Sequence, residues 1–191
     1  MTTHLSVIAG LGNPEDRYAR TLHNAGFWFV EEIARRENLS FKYEKRFDAD
    51  VCKTRMAGED VWLIKPQSYM NLSGGPIRGM LDYYRLPVSK LLVAHDEIDL
   101  SPGDVRLKLG GGHGGHNGLR DTIQHCGKDF MRLRIGVGHP GHKDQVTGYV
   151  LKKASREVED AMLRNVDEAA AVMPLLAEDG LNAAMKQLHT K

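Results

Sequence analysis

Only two cysteines occur among 191 residues, Cys52 and Cys126, and they form no C-x-x-C pair. That excludes a disulfide framework and a cysteine zinc site, and it suits a reducing compartment. No run of about eighteen apolar residues exists, so no membrane-spanning helix is predicted. Met1-Thr2-Thr3-His4-Leu5 has neither the charged nor the apolar segment of a secretory signal, and the expectation is a cytoplasmic protein. Net charge is +1, which speaks against a generally basic nucleic-acid binder. No G-x-S-x-G elbow is found, and Ser73 sits where a helix begins rather than where a nucleophile would attack. Gly10-Leu11-Gly12 lacks the third glycine of a dinucleotide fingerprint, which excludes NAD binding.

What is present is an alternation of strands and helices on a length that fits one domain, residues 1–191. Leu5 to Leu11 is a nearly continuous apolar run, as a strand covered on both faces requires. Ala25 to Asn38 has helical periodicity, with Phe29, Val30, Ile33 and Ala34 on one stripe. Strands are predicted near 49–56 and 60–65, joined by a turn centred on Gly58, then a helix over 75–85 and strands at 90–94 and 105–109. A helix over about 118–125 and a strand over 132–137 follow. Ser155 caps a long helix reaching about Ala177, with Pro174 expected to disturb it, and 181–188 forms the last helix. The pattern predicts an α/β fold in a single domain: a mixed, twisted β-sheet flanked by helices on both faces.

The stretch Lys108 to Leu119 contains six glycines, five of them within 110–115, together with His113, His116 and Asn117. Backbone stripped of side chains points to a close approach, of which a ligand is one form. Loops at the ends of strands also carry Asn13, His23 with Asn24, Met70 with Asn71, and Asp96, and in an open α/β sheet such loops converge on one crevice. A histidine oriented by Asp96 could act as general base toward water. His113/His116 and His139/His142 share a spacing of three that suits metal ligation, but no acidic ligand lies within either cluster and no metal is predicted. Charge is uneven: ten Lys or Arg face four Asp between 104 and 156, whereas seven acidic residues face three basic ones from 157 onward. One face could therefore meet a polyanion.

Taken together these residues resemble bacterial peptidyl-tRNA hydrolase over nearly the whole chain. The motifs are Gly10-Leu11-Gly12-Asn13-Pro14 with Tyr18, His23-Asn24-Ala25-Gly26, Tyr69-Met70-Asn71-Leu72-Ser73-Gly74 and Val93-Ala94-His95-Asp96-Glu97-Ile98-Asp99-Leu100. The glycine stretch through Leu119, and Arg132-Leu133-Arg134-Ile135-Gly136-Val137-Gly138, complete the set. Two departures concern loop charge: Glu15 stands where the family usually has Gly, and Leu22 where it usually has Arg. The resemblance implies a cofactor-free, monomeric hydrolase that cleaves the ester between a peptide and tRNA, recycling tRNA without regard to its sequence. It implies His23 as catalytic base with Asp96 as partner and Asn13 in the catalytic set. Tyr18, Met70, Asn71, His116 and Asn117 would bind substrate, and Lys108 and Arg134 would clamp the 5′-phosphate of tRNA. For the C-terminal helices two readings stand, a lid over the peptide channel or core packing by Met162, Val166 and Met173. A non-catalytic RNA binder and a general esterase are the alternative functions.

Overall fold

Strands without apolar alternation need cover on both faces, and the chain supplies it. The computed structural model describes residues 3–190. Its strands are β1 (Val7–Gly10), β2 (Lys42–Glu44), β3 (Ala49–Met56), β4 (Glu59–Pro66), β5 (Leu91–Glu97), β6 (Val105–Leu109) and β7 (Met131–Gly136). They form one seven-stranded sheet in the order β2-β3-β4-β1-β5-β7-β6. The β4, β1, β5 and β7 pairings are parallel, while β2–β3, β3–β4 and β6–β7 are antiparallel. The sheet is mixed, as expected.

The helices are α1 (Ala25–Arg36), α2 (Gly74–Tyr83), α3 (Asn117–Cys126), α4 (Val146–Val150), α5 (Arg156–Asp179) and α6 (Leu181–His189). Leu92 and Ala94 of β5 join one core with Phe29 and Val30 of α1 and Met162, Val166 and Met173 of α5. Leu91 and Val93 face the other way, onto Ile77 and Met80 of α2 and Leu119 of α3. The long C-terminal helix is therefore core packing and not a lid.

Several boundaries differ from expectation for identifiable reasons. The α1 helix stops at Arg36 because Asn38 adopts a left-handed φ of 55°, and Arg85, at 54°, closes the segment after α2 in the same way. The turn between β3 and β4 uses two left-handed residues, Ala57 and Gly58, the conformation whose twist suits a two-residue hairpin. Strand β2 has little burial and no pattern to announce it. Pro174 does not interrupt α5, whose 24 residues run on while Val172, Met173, Leu176 and Ala177 stay buried around it. Tertiary packing outweighs the lost backbone bond. Most consequential is β5, predicted to end at Ala94 and extending to Glu97. His95, Asp96 and Glu97 are paired with Arg134, Ile135 and Gly136 of β7, so Asp96 stands on a strand, not in a loop.

The free edge at β6 is covered by α6. The Leu107 amide donates to His189 Nε2 at 3.0 Å, using an imidazole where another strand would otherwise pair.

Candidate active site

The site begins with a close approach of backbones. A Cβ at Gly26 would lie 2.3 Å from the Ala94 carbonyl oxygen and 2.5 Å from the Leu11 nitrogen. Bare glycine lets the start of α1 sit directly on the ends of β1 and β5. His23 occupies the single 3-10 turn Leu22–Asn24 immediately before α1. That turn is held from behind by the Leu22 amide, which donates to the Lys152 carbonyl at 3.1 Å. Asn24, buried, locks the neighbouring loop: its Oδ1 accepts from the Asn13 amide at 2.9 Å and its Nδ2 donates to the Asn13 carbonyl at 3.0 Å. Asn13 Oδ1 in turn accepts from the Met70 amide at 2.8 Å. This fixes which way the Asn13 carboxamide points and leaves its Nδ2 for the cavity.

Asp96, 3% exposed, lies between two imidazoles. His23 Nδ1 donates to its carboxylate, 2.9 Å from each oxygen, and His116 Nε2 donates to Oδ1 at 2.8 Å. The two rings are 4.9 Å apart, centroid to centroid. His116 caps α3, its Nδ1 accepting from the Leu119 amide at 3.2 Å; with Nδ1 an acceptor, the proton toward Asp96 resides on Nε2. Burial would raise the Asp96 pKa, but the charges and hydrogen bonds of His23 and His116 outweigh it and hold the carboxyl well below its usual range. For His23 burial works downward, and the charge and hydrogen bond of Asp96 carry the pKa above the ordinary imidazole value. His95 behaves oppositely: burial, then the nearby His116, push it down to about 4. Its Nδ1 donates to the Asp96 carbonyl at 2.8 Å, and its Nε2 is buried with no partner among the described residues. His95 is thus a neutral strut beneath the pair.

These groups open on a cavity of about 720 Å³. Of the sequence-predicted residues, Asn13, His23, Met70, Asn71, Asp96, His116 and Asn117 line it together. Tyr18 does not; its ring packs under the Arg17 guanidinium, 4.6 Å from the centroid. Tyr69 supplies the aromatic wall instead, with His95, and with Val146, Thr147 and Val150 of α4 opposite. No periodicity betrays a five-residue helix after the glycine- and histidine-rich turn at 138–142. Asn117 Oδ1 accepts from Arg120 at 3.1 Å, leaving its Nδ2 as the available group. Ser73 Oγ donates to the Met70 carbonyl at 2.7 Å, a turn-closing role.

Neither histidine pair of spacing three belongs as a pair to a three-group metal cluster among the described residues. His113, His139 and His142 each spend Nδ1 on a backbone amide two residues on. Among the described residues the one three-group cluster with metal-ligating atoms in reach is His23, Asp96 and His116, within 4.8 Å of one another, and those atoms are already bonded among themselves.

On the same sheet face as His95 and Glu97 lies a cationic row. Arg106 faces Arg134 and Lys108 faces Arg132 across the β6–β7 ladder, so Lys108 and Arg134 are diagonal neighbours. Lys108 is exposed, while Arg134 Nε donates to Glu97 at 2.9 Å.

With this geometry in hand the comparisons with known proteins are decisive. The family model for peptidyl-tRNA hydrolase matches residues 7–191. The chain belongs to the peptidyl-tRNA hydrolase family. A peptidyl-tRNA hydrolase of Psychromonas ingrahamii is 46% identical, covering 100% of this chain and 98% of the relative. A crystal structure of a peptidyl-tRNA hydrolase in complex with N-propanol superposes with a TM-score of 0.95 at 44% identity, covering 98% of this chain and 96% of that one. The enzyme from Acinetobacter baumannii gives 0.93 at 44% identity, with coverage of 98% and 96%. Both departures from the peptidyl-tRNA hydrolase pattern lie off the reacting groups: Glu15 accepts from the Tyr69 hydroxyl and pairs with Arg17 at 2.8 Å, and Leu22 is buried in the core.

Proposed function

We propose that the cavity hydrolyses the ester joining a peptidyl group to the terminal ribose of tRNA, with His23 as general base. The observation that carries this is the His23–Asp96 contact: Nδ1 is spent on a buried carboxylate, so Nε2 is the basic nitrogen left facing the cavity. Nε2 takes a proton from water as its oxygen attacks the ester carbonyl carbon. The bond to the ribose oxygen then breaks, and the imidazolium returns the proton to that oxygen. Asp96 holds the tautomer and stabilises the imidazolium between the two steps.

The carboxamides supply recognition. Asn13 Nδ2 and Asn117 Nδ2 are donors with their oxygens already engaged, suited to carbonyl oxygens or to the developing oxyanion. Asn71, exposed at the cavity rim, has both amide functions free to pair with a peptide unit. Met70 gives an apolar wall, and His116 completes the carboxylate's partners. Lys108 and Arg134 contact the 5′-phosphate, a sequence-independent attraction that suits an enzyme accepting every tRNA. On this reading the enzyme works in the cytoplasm, where translation makes its substrate, and as a monomer, since every proposed site residue comes from one chain. A general esterase would have no use for the cationic row, and a pure RNA binder none for the imidazole–carboxylate set.

N-acetylated and free aminoacyl-tRNA, assayed with EDTA present, test this reading. A site built around a peptide unit leaves its own amides unpaired when a free amine arrives, so the blocked substrate should react much faster. Equal rates would remove the reading. His23→Ala should lower turnover by about 10²–10⁴-fold at an unchanged melting temperature.

A further inference from the structure

Arg132 is a cation in an unusual place. It is 3% exposed, yet among the described residues no carboxylate lies within ion-pair distance. Its partners are neutral: NH1 donates to the Gly112 carbonyl, and NH2 donates to the carbonyls of Gly111 at 2.5 Å and Lys128 at 3.2 Å, while Nε has no partner. Its guanidinium also lies over the Phe130 ring, 4.5 Å from the centroid, yet burying a charge with no anionic partner is costly, and the chemistry proposed above does not require it.

Its surroundings suggest what it is for. Arg132 faces Lys108 across the ladder and precedes Arg134 by two residues on the same face. The backbone it grips is the glycine arch, and Lys108 lies along the bare side of that arch: a Cβ at Gly111 would come within 2.8 Å of the Lys108 ammonium. The same arch leads, four residues after Gly112, to His116. Diagonal neighbours such as Lys108 and Arg134 stand about 7–8 Å apart, a span that one phosphate fills by accepting from both.

We propose that Arg132 is a positioning residue for phosphate binding: its guanidinium fork nails the Gly111–Gly112 backbone to the sheet and so sets Lys108 beside Arg134. The inference rests on Lys108 and Arg134 as the phosphate contacts. Gly111 serves a protein cation, since a side chain there would displace Lys108. Arginine is needed because a planar fork can reach several carbonyls at fixed angles, whereas lysine offers a point charge.

The test uses N-acetyl-aminoacyl-tRNA carrying either a 5′-phosphate or a 5′-hydroxyl, with KM, kcat and melting temperature measured for each protein. Wild type is expected to favour the phosphate by about tenfold or more in KM. Arg132→Lys and Arg132→Gln should each lose most of that preference, in KM rather than kcat, as Lys108→Ala does. Retention of the full preference by both, with lower melting temperatures and Lys108→Ala still deficient, would make Arg132 a staple of the fold and overturn the inference alone. Full preference in Arg132→Lys but not Arg132→Gln would overturn it too, since charge and not the fork would then matter. No preference in wild type would overturn the phosphate reading and this inference together. Should the Arg132 variants not fold, Gly111→Ala pushes on Lys108 from the other side. Loss of the phosphate preference there supports the proposal, and an unchanged preference defeats it.

Discussion

A carboxylate shared by two imidazoles has to serve both, and the hydrogen-bond directions show how. His116 Nδ1 accepts from the Leu119 amide, which leaves Nε2 to donate to Asp96. His23 has no such second anchor, and Asp96 can stabilise its protonated form. Because a base must be neutral to act, the role proposed for His23 together with its raised pKa predicts that kcat/KM falls with acidity through an inflection above the ordinary imidazole value of 6.5. Asp96→Asn should move that inflection to lower pH, since burial then acts on His23 alone, and reduce the rate by about 10²–10⁴-fold. A pH–rate profile of both proteins decides it; an unmoved inflection would assign the titration to another group. The linked stability has two limbs. The His23 contribution is full below 6.5 and lost as pH rises through the raised value, and the Asp96 contribution is lost as pH falls below the usual carboxylate range. The motifs brought together residues far apart in the chain: the imidazole, the carboxylate, Met70, Asn71, His116 and Asn117 all line one cavity. Tyr18 is not among the cavity's lining residues; it ends the 3-10 turn Asp16–Tyr18 and its ring lies under the Arg17 guanidinium, a local arrangement that the motif does not encode. Orientation of the Asn13 amide was equally hidden, being fixed by residues 11 and 57 positions away.

Elements matter to the site through how closely they approach. The α1 helix can present His23 only because Gly26 has no side chain against β1 and β5. Gly26→Ala forces a methyl onto two backbone segments that cannot rotate away. It should destabilise by about 1–3 kcal/mol or more, measured by denaturant unfolding, and should lower activity through displacement of His23. At the opposite edge, the His189 imidazole accepts from β6 and so must be neutral. Burial, with Arg106 nearby, lowers its pKa, so its contribution is full above the ordinary imidazole range and fades as pH falls through it. His189→Ala should cost about 1 kcal/mol at neutral pH and show a smaller penalty in mild acid, read from melting curves at both pH values. Strand and helix periods predicted these elements well where burial was two-sided or striped. They failed at the extension of β5, whose last residues are His, Asp and Glu: polarity reads as loop, yet these side chains are buried or half-buried because His95 bonds the Asp96 carbonyl, Asp96 bonds two imidazoles and Glu97 bonds Arg134.

Over the whole molecule, the acidic C-terminal helices pack with α1 on one side of the sheet, while Arg106, Lys108, Arg132 and Arg134 share the opposite face. That face is not purely attractive. Arg134 already holds Glu97 through Nε, which keeps the carboxylate neutralised and leaves its two terminal nitrogens for the phosphate contact proposed above. Removal of Arg134 therefore does two things, deleting a contact and baring a negative charge next to the phosphate path, whereas removal of exposed Lys108 does only the first. Each substitution to alanine should reduce the slope of log affinity for tRNA esters against log salt by about one. Arg134→Ala should weaken binding more than Lys108→Ala at low salt, and adding Glu97→Gln to Arg134→Ala should recover part of the loss. KM measured across a salt series for the three variants checks this. Equal losses for the two single variants, with no recovery in the double one, would mean that Glu97 stands outside the phosphate's field and that the cationic face acts as a sum of independent charges.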